Sequence, residues 1–139
     1  MIQTDLMSFN ERLNLEERDL RRHIKLPIKE RIVNTYARHD NAFILQFYGP
    51  KNTRYEINLF TVKCILNDNY PIKHPDIYWI GLPPDHHFYK GDNRSNLANT
   101  HFGIYSFWYT PDKSLIEIIG RIRYSLTKEG EMEMGDDMY

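Results

Sequence analysis

Residues 31–80 read RIVNTYARHDNAFILQFYGPKNTRYEINLFTVKCILNDNYPIKHPDIYWI and contain four β-rich segments separated by turn-forming residues. The segments are 31–37, 42–48, 55–66 and 77–80. The breaks between them are short and rich in Gly, Pro, Asn and Asp, which favour turns. Short breaks pair consecutive strands in antiparallel fashion. The sequence therefore predicts a four-stranded antiparallel meander.

The third segment predicts which way its side chains face. In its second half every other residue is apolar, and this set is Phe60, Val62, Cys64 and Leu66. A period of two places these side chains on one face of the strand, toward the core. Cys64 is therefore predicted to be a packing residue, since a nucleophilic thiol needs an exposed and electropositive setting.

One helix is predicted before the strands in the chain and another after them, because the sequences at 8–11 and 114–117 both have the S-x-x-E pattern of a capping box. The first helix has a thin apolar stripe and ends before Pro27. That stripe is Phe9, Leu13, Leu20 and Ile24, and the charged remainder is Arg12, Glu16, Glu17, Arg18, Arg21 and Arg22. The stripe of the second helix is Leu115, Ile118, Ile119, Ile122 and Leu126.

Composition limits the classes of function. The chain has 139 residues and a net charge of -1, with an isoelectric point near 6.6, which predicts one domain without the basic field of a nucleic-acid-binding protein. We expect a domain at 1–128 and a frayed acidic tail at 129–139. The sequence has neither a membrane-length apolar run nor a signal peptide, so we expect a cytoplasmic protein that binds no membrane.

Cysteine and histidine content argues against a bound metal or cofactor. The single cysteine excludes an internal disulfide and a thiolate zinc site. Only His86, His87 and His101 are clustered, and no spacing typical of zinc sites accompanies them. We therefore predict neither a metal nor a cofactor.

Residues 82–111, LPPDHHFYKGDNRSNLANTHFGIYSFWYTP, form a long segment without a helical or strand period. Loops of this length inside a compact domain are uncommon and are usually functional or disordered. Its many aromatic side chains can pin it to a core, which favours an ordered loop that carries a functional site.

Three motifs at the joints between these elements resemble the ubiquitin-conjugating (E2) family. YGPKNTRYE at 48–56, followed by Phe60, resembles the family's G-P-x-x-T-x-Y-E-x-x-x-F signature. NYPIKHP at 69–75 is similar to its YPxxPP turn, with His74 in place of the first paired proline, and WYTP at 108–111 resembles its W-x-P with one extra residue. The resemblance implies an α+β, UBC-like fold over nearly the whole chain.

The resemblance also implies a transferase activity that depends on a cysteine in the long loop. That thiol takes the C-terminus of a ubiquitin-like protein as a thioester and passes it to an amine, because a thiolate is both a good nucleophile and a good leaving group. This loop contains no cysteine. Ala98 stands at the matching place, ten residues before Trp108, and Thr100 is the alternative.

The family's HPN motif is absent, and the sequence His-His-Phe at 86–88 occupies its place. The oxyanion-stabilising Asn is therefore unassigned, with Asn96 and Asn99 as candidates. His101 is a candidate helper in catalysis or, equally, a loop histidine bonded to backbone.

Two interpretations of Ala98 stay open. In the first, which we favour, the chain is a conjugating enzyme whose nucleophile has been replaced by Ala, because Asn96, Asn99 and His101 keep a polar cluster around that position. In the second, it is a naturally cysteine-less module, similar to E2-variant and RWD-type domains, that binds without catalysis.

The resemblance implies two protein partners, an E1-like activating enzyme and a ubiquitin-like protein. The first helix would meet the E1-like enzyme, and its candidate contacts are Arg12, Arg18, Arg21 and Arg22. The shortness of the chain and the missing HPN look most like compact E2-like proteins that bacteria encode in antiphage operons.

Overall fold

The structure is a computed structural model that describes residues 8–89, 96–97 and 108–136. The element order is α1 Phe9–His23, β1 Thr35–His39, β2 Ala42–Tyr48, β3 Leu59–Ile65, β4 Asp76–Ile80, α2 Leu115–Ser125 and α3 Lys128–Asp136. A short 3-10 turn, Ile28–Glu30, lies between α1 and β1. The predicted α+β order of helix, sheet and helix is confirmed. Within the described part of the chain, no helix is both long and apolar enough to cross a membrane.

The sheet is the predicted meander, with strand order β1-β2-β3-β4 and antiparallel pairing throughout. Cys64 of β3 lies opposite Phe43 on one side and Ile77 on the other, and all three side chains have no exposed surface. The predicted inward face of the third strand is therefore confirmed. Burial raises the pKa of the Cys64 thiol far above its ordinary value, so this thiol is inert packing.

The first strand is shorter than predicted, because β1 begins at Thr35 rather than at Arg31. The backbone N–H groups of Ile32 and Val33 both donate to Nε2 of His23, at 2.8 and 3.0 Å. These two donors are used to fasten the chain to the end of α1, so they are not available for a ladder of strand hydrogen bonds.

The third strand is also shorter than predicted, beginning at Leu59 rather than at Tyr55. Residues before it form tight turns, in which the Glu56 N–H donates to the Thr53 carbonyl at 3.2 Å and the Asn58 N–H to the Tyr55 carbonyl at 3.0 Å. Turn hydrogen bonds thus replace the alternating pattern that the sequence suggested.

Helices α1 and α2 are capped by the two serines that the sequence predicts. The hydroxyl of Ser8 accepts the Glu11 N–H at 3.1 Å, and Ser114 and Glu117 form the complete reciprocal capping box. Every member of the predicted stripe of α2 is buried. These residues are Leu115, Ile118, Ile119, Ile122 and Leu126.

Glu16 was predicted to lie on the charged surface of α1, and this is wrong, because the residue is only 2% exposed. Its carboxylate accepts hydrogen bonds from the Tyr70 hydroxyl and, at 3.4 Å, from the Leu115 N–H. The guanidinium of Arg12 lies 3.4 Å away. Burial nevertheless raises the pKa of Glu16, because desolvation outweighs these favourable partners.

The predicted frayed tail is wrong for residues 129–136, which continue helix α3. Met134 is 1% exposed and joins the core, and Glu133 pairs with Arg121 at 2.9 Å. At Gly130 the backbone passes so close to the Tyr124 carbonyl oxygen that a Cβ would lie 1.8 Å from it. One buried methionine and a close backbone approach leave no periodic pattern, so the sequence does not indicate this helix.

We expect Glu16→Ala to lower the free energy of unfolding by about 3 kcal/mol, because it leaves Arg12 and Tyr70 buried without their acceptor. Glu16→Gln is the matched control, since it keeps an oxygen acceptor of the same size and removes a charge that burial disfavours. Urea denaturation at pH 7 measures both. Equal losses in the two variants would contradict a role for the acceptor in this network.

Candidate functional site

The described parts of the long loop are fastened to the core. Phe88 and Tyr89 are 7% and 0% exposed, and Leu97 is fully buried. The Tyr89 hydroxyl is 2.6 Å from Oγ of Ser125 in α2, and its ring lies 5.1 Å, edge-on, from that of Trp79. The prediction of an ordered loop thus holds for residues 82–89 and 96–97.

His86 occupies a turn at the start of this loop and is 5% exposed. Its Nδ1 accepts the Phe88 N–H at 3.1 Å, and its Nε2 lies 2.9 Å from Oε2 of Glu131 in α3. Because Nδ1 uses its lone pair, the proton of the neutral ring is on Nε2, which donates to Glu131. Burial lowers the pKa of His86, and the Glu131 carboxylate opposes this without reversing it. His86 is therefore a neutral ring whose hydrogen bond to Glu131 holds α3 against the loop. We call this contact the His86 clasp.

The same cluster raises the question of a metal. Ligand-type atoms of His86, His87 and Glu131 all lie within 4.8 Å of one another. A metal on Nε2 of His86 would displace its proton, and the ring would then need a proton on Nδ1, where the Phe88 N–H already points. The nearby charge of Arg54 also disfavours a cation. The geometry favours a hydrogen-bonded clasp, and the absence of a metal stays a prediction.

Asn96 was predicted as a candidate oxyanion-stabilising residue, and its amide is already engaged. Its Oδ1 accepts the Ile77 N–H and its Nδ2 donates to Oδ1 of Asp76, both at 2.9 Å. The side chain therefore fastens the loop to the beginning of β4. The other predicted site residues in this loop lie outside the described residues, namely Ala98, Asn99, Thr100 and His101.

The four arginines predicted to bind a partner divide into two groups. Arg12 has a side chain only 11% exposed and lies over the Tyr70 ring at 5.3 Å, so it belongs to the buried network. Arg18, Arg21 and Arg22 are exposed on α1. Arg21 lies 3.7 Å from Glu17, whereas Arg18 and Arg22 form no ion pair with any residue that the structure describes. An exposed basic surface on α1 therefore consists of Arg18 and Arg22, with Arg21 beside it.

The turn motifs connect the sheet to the loop. The Tyr55 hydroxyl donates to the Asp85 carbonyl at 2.9 Å, and the Tyr109 hydroxyl donates to the Pro71 carbonyl at 2.6 Å. Gly49 has no room for a side chain, because a Cβ there would lie 2.1 Å from the Tyr55 carbonyl oxygen. These contacts explain why the sequence motifs have tyrosine at positions 55 and 109 and glycine at position 49.

No family model matches this sequence. Solved structures do. A ubiquitin-conjugating enzyme E2 from Plasmodium falciparum superposes with a TM-score of 0.64 and 25% identity, covering 88% of this chain and 86% of that one. The chain has the ubiquitin-conjugating fold. A Plasmodium vivax ubiquitin-conjugating enzyme E2 gives a TM-score of 0.59 and 26% identity, over 84% of this chain and 99% of that one.

A Trypanosoma cruzi protein described as a ubiquitin-conjugating enzyme has the same fold, with a TM-score of 0.62 over 86% of this chain and 74% of that one. Its identity of 13% supports the fold alone. The two Plasmodium structures also support an E2-like conjugating function for this UBC-like chain. The predicted fold is confirmed.

One contact that holds the loop in place could not be predicted from the sequence. Glu131 lies 45 positions from His86 and within the stretch predicted to be a tail, so no local pattern connects them. The adjacent histidines at 86 and 87 were noted in the sequence, but nothing there indicated Glu131 as their partner.

The His86 clasp should weaken in acid. The folded-state pKa of His86 lies below its ordinary 6.5, so the unfolded state binds the proton more tightly and stability falls as the pH drops through the folded-state value. We expect His86→Gln to have a lower Tm than the parent at pH 7.5. Between pH 7.5 and pH 5, the Tm of the variant should fall by about 4 °C less than the Tm of the parent.

His39→Gln is the control for this experiment, because His39 is exposed at the end of β1 and the substitution leaves His86 and Glu131 in place, so the variant should keep the parental slope. His23 adds a slope of the same sign in every variant, since burial lowers its pKa as well. Thermal unfolding followed by circular dichroism measures all three proteins. Identical slopes for the parent and His86→Gln would show that His86 does not titrate with unfolding.

Proposed function

We propose that this chain is the E2-like component of a ubiquitin-like conjugation system. Such a protein accepts a ubiquitin-like protein from an E1-like enzyme as a cysteine thioester and transfers it to an amine. The observation that carries the proposal is the UBC-like fold, shared over 88% and 84% of the chain with two ubiquitin-conjugating enzymes at 25% and 26% identity. Fold alone does not fix chemistry, so the residues of the site decide the finer statement.

The chain as it stands has no thiol for a thioester. Its single cysteine is Cys64, which is fully buried between Phe43 and Ile77 in the middle of the sheet. Because burial raises the pKa of this thiol, it supplies no thiolate to an incoming carbonyl. We therefore propose an inactive form, in which the nucleophile position is occupied by Ala98.

The described neighbours of position 98 support that assignment. Ala98 directly follows Asn96, whose amide is bonded to β4, and Leu97, whose side chain is fully buried in the core. Two anchored residues immediately before it are what a nucleophile requires, because a reacting atom has to be held in place. Since the Asn96 amide is engaged, Asn99 becomes the preferred candidate for stabilising an oxyanion, with His101 as the candidate general base.

A second candidate function is a cysteine-less E2-variant that binds its partners without catalysis. Two observations favour it. The only thiol is buried, and the turn at the place of the family's HPN motif carries Phe88, which is 7% exposed and packs against His86 at 4.7 Å between ring centroids. An apolar ring there offers no side-chain amide to a developing negative charge, and the Phe88 backbone N–H already donates to Nδ1 of His86.

The proposed partners follow from the same fold. We propose that Arg18 and Arg22 on α1 meet an acidic surface of the E1-like enzyme, and that a ubiquitin-like protein is the cargo. We further propose a cytoplasmic setting in a bacterial antiphage system. These proposals rest on the resemblance of the sequence to compact bacterial E2-like proteins.

Ala98→Cys tests the nucleophile position. The substitution adds one sulfur atom to the residue, so it should disturb the fold little. Incubated with its E1-like enzyme, ATP and the ubiquitin-like protein, the variant should form an adduct that a reducing agent removes, whereas the parent forms none. Mobility shift on non-reducing gels measures the adduct.

Thr100→Cys is the matched variant for this test, because it adds a thiol two positions away. Charging by Thr100→Cys alone would move the nucleophile position to residue 100. Failure of both variants, with the E1-like enzyme shown to be active, would favour the non-catalytic module.

In a charged variant, His101→Ala should slow transfer to the amine by about 100-fold if His101 acts as a general base, and hardly at all if it is structural.

The α1 surface yields a separate prediction. Arg18→Glu with Arg22→Glu should weaken binding of the E1-like enzyme about tenfold, mainly through a slower association rate, and should leave Tm unchanged because both side chains are exposed. Lys73→Glu with Lys128→Glu makes the same change in net charge outside α1, at two exposed lysines, and is the control. Surface plasmon resonance at two salt concentrations measures the rates. Equal effects of the two double variants would exclude a specific role for α1.

A further inference from the structure

A groove of about 470 Å³ lies beside one end of the sheet. Its walls are formed by the 3-10 turn, the turn between β2 and β3, and the last turn of α2. Among the described residues, none from the long loop lines it. The residues that matter most for what it binds are Lys29, Arg31, Lys51, Arg123, Ile28 and Tyr48.

Arg123 is the unusual member of this set. The residue is half-buried, and its Nε donates to the Tyr48 carbonyl at 2.9 Å. Burial lowers the pKa of Arg123, and no neighbouring carboxylate opposes that shift. Among the described residues no acceptor is bonded to its two Nη groups. A partly desolvated guanidinium without an anion is costly, and binding a carboxylate would remove much of that cost.

The charge around Arg123 favours an anion. Four basic side chains line the groove, against the two acidic ones of Glu30 and Glu56, so the excess is two positive charges. Glu56 is also partly engaged, because its Oε1 accepts the Asn52 N–H at 2.8 Å. Lys29 and Lys51 are exposed at the rim, where they would guide an acidic partner and fix it less tightly than Arg123.

The groove also has apolar walls that an inorganic ion would not use. Ile28 is 71% exposed and Tyr48 is 42% exposed, and Ile32 completes this side. Exposed apolar side chains beside a basic cluster suit a peptide that carries apolar residues between carboxylates. Tyrosine and arginine are, in addition, the residue types most enriched among energetically dominant interface contacts.

We propose that this groove binds an acidic and apolar peptide segment of a partner protein. A carboxylate of the segment pairs with the Nη groups of Arg123, and an adjacent apolar side chain covers Ile28 and Tyr48. The proposal does not depend on the identity of residue 98, and it holds equally for an active conjugating enzyme and for a non-catalytic module.

The test is a titration of the ¹⁵N-labelled full chain with the synthetic peptide Ac-EDLFEDL-NH2, followed by amide chemical shifts. We expect shifts at residues 28–34, 48–51 and around 123, with a dissociation constant of tens of micromolar, on the order of weak motif binding. Ac-KKLFKKL-NH2 and Ac-EDSGEDS-NH2 should each bind at least tenfold more weakly, because one lacks the charge and the other the apolar side chains.

Variants locate the contacts. Arg123→Gln should weaken binding of the acidic peptide about tenfold, as loss of one charged hydrogen-bonded pair does. Lys51→Glu should weaken it about threefold without affecting the fold, since this side chain is exposed, and keeps the test decisive if Arg123→Gln is unstable. Lys128→Glu, an equally exposed lysine outside the groove, should change the constant less than twofold.

Five outcomes would overturn the proposal. The first four are shifts that map elsewhere, an equal effect of Lys128→Glu and Lys51→Glu, competition by inorganic phosphate at the peptide's own concentration, and absence of shifts at millimolar peptide. Phosphate competition would identify a simple anion site. The same shifts on raising the protein concentration without peptide would identify a second copy of the chain as the occupant, and would also overturn it.

Discussion

The buried carboxylate of Glu16 holds three separate parts of the fold together. It lies on α1, accepts from Tyr70 in the turn between β3 and β4, and accepts from the first residue of α2, Leu115. A buried ionisable group is costly, and burial does raise the pKa of Glu16. The arrangement is stable only when every partner is in place, which fixes how α1 and α2 meet the sheet. The long loop returns just before α2, so this network fixes the element to which the end of the loop is attached.

The loop itself is fastened from several directions by polar contacts between distant parts of the chain. Tyr55 and Arg54 in the β2–β3 turn bond the carbonyl of Asp85, Glu131 of α3 bonds His86, and Asn96 bonds the start of β4. Each is a contact between residues at least 19 positions apart. A loop constrained in this way can present a residue in a defined place, which chemistry on a protein requires.

The sequence predicted those features that have a local pattern. Alternation placed Cys64 inside, and the two serine caps placed the helix starts, because strand period and caps are properties of neighbouring residues. Glu16 was assigned to the surface because charge is usually exposed and its partners are 54 and 99 positions away. The His86 clasp was missed for the same reason, whereas helix α3 was missed because its residues have no periodic apolar pattern. The fold, in contrast, was predicted from the resemblance of the turn motifs to those of a known family. Such motifs are informative because close backbone packing restricts which residue fits, as at Gly49.

A framework of this kind separates binding from catalysis. The contacts that position the loop involve Tyr, His, Asn and Glu side chains and backbone, and none of them is the reacting group. If position 98 is the nucleophile position, as proposed, loss of a single thiol there would abolish thioester formation and leave the fold and its partner surfaces intact. The exposed Arg18 and Arg22 on α1, and the uncompensated Arg123 in its groove, are features that packing does not require. Under the proposal of an inactive form, these two surfaces would let the chain hold partner proteins together without catalysis.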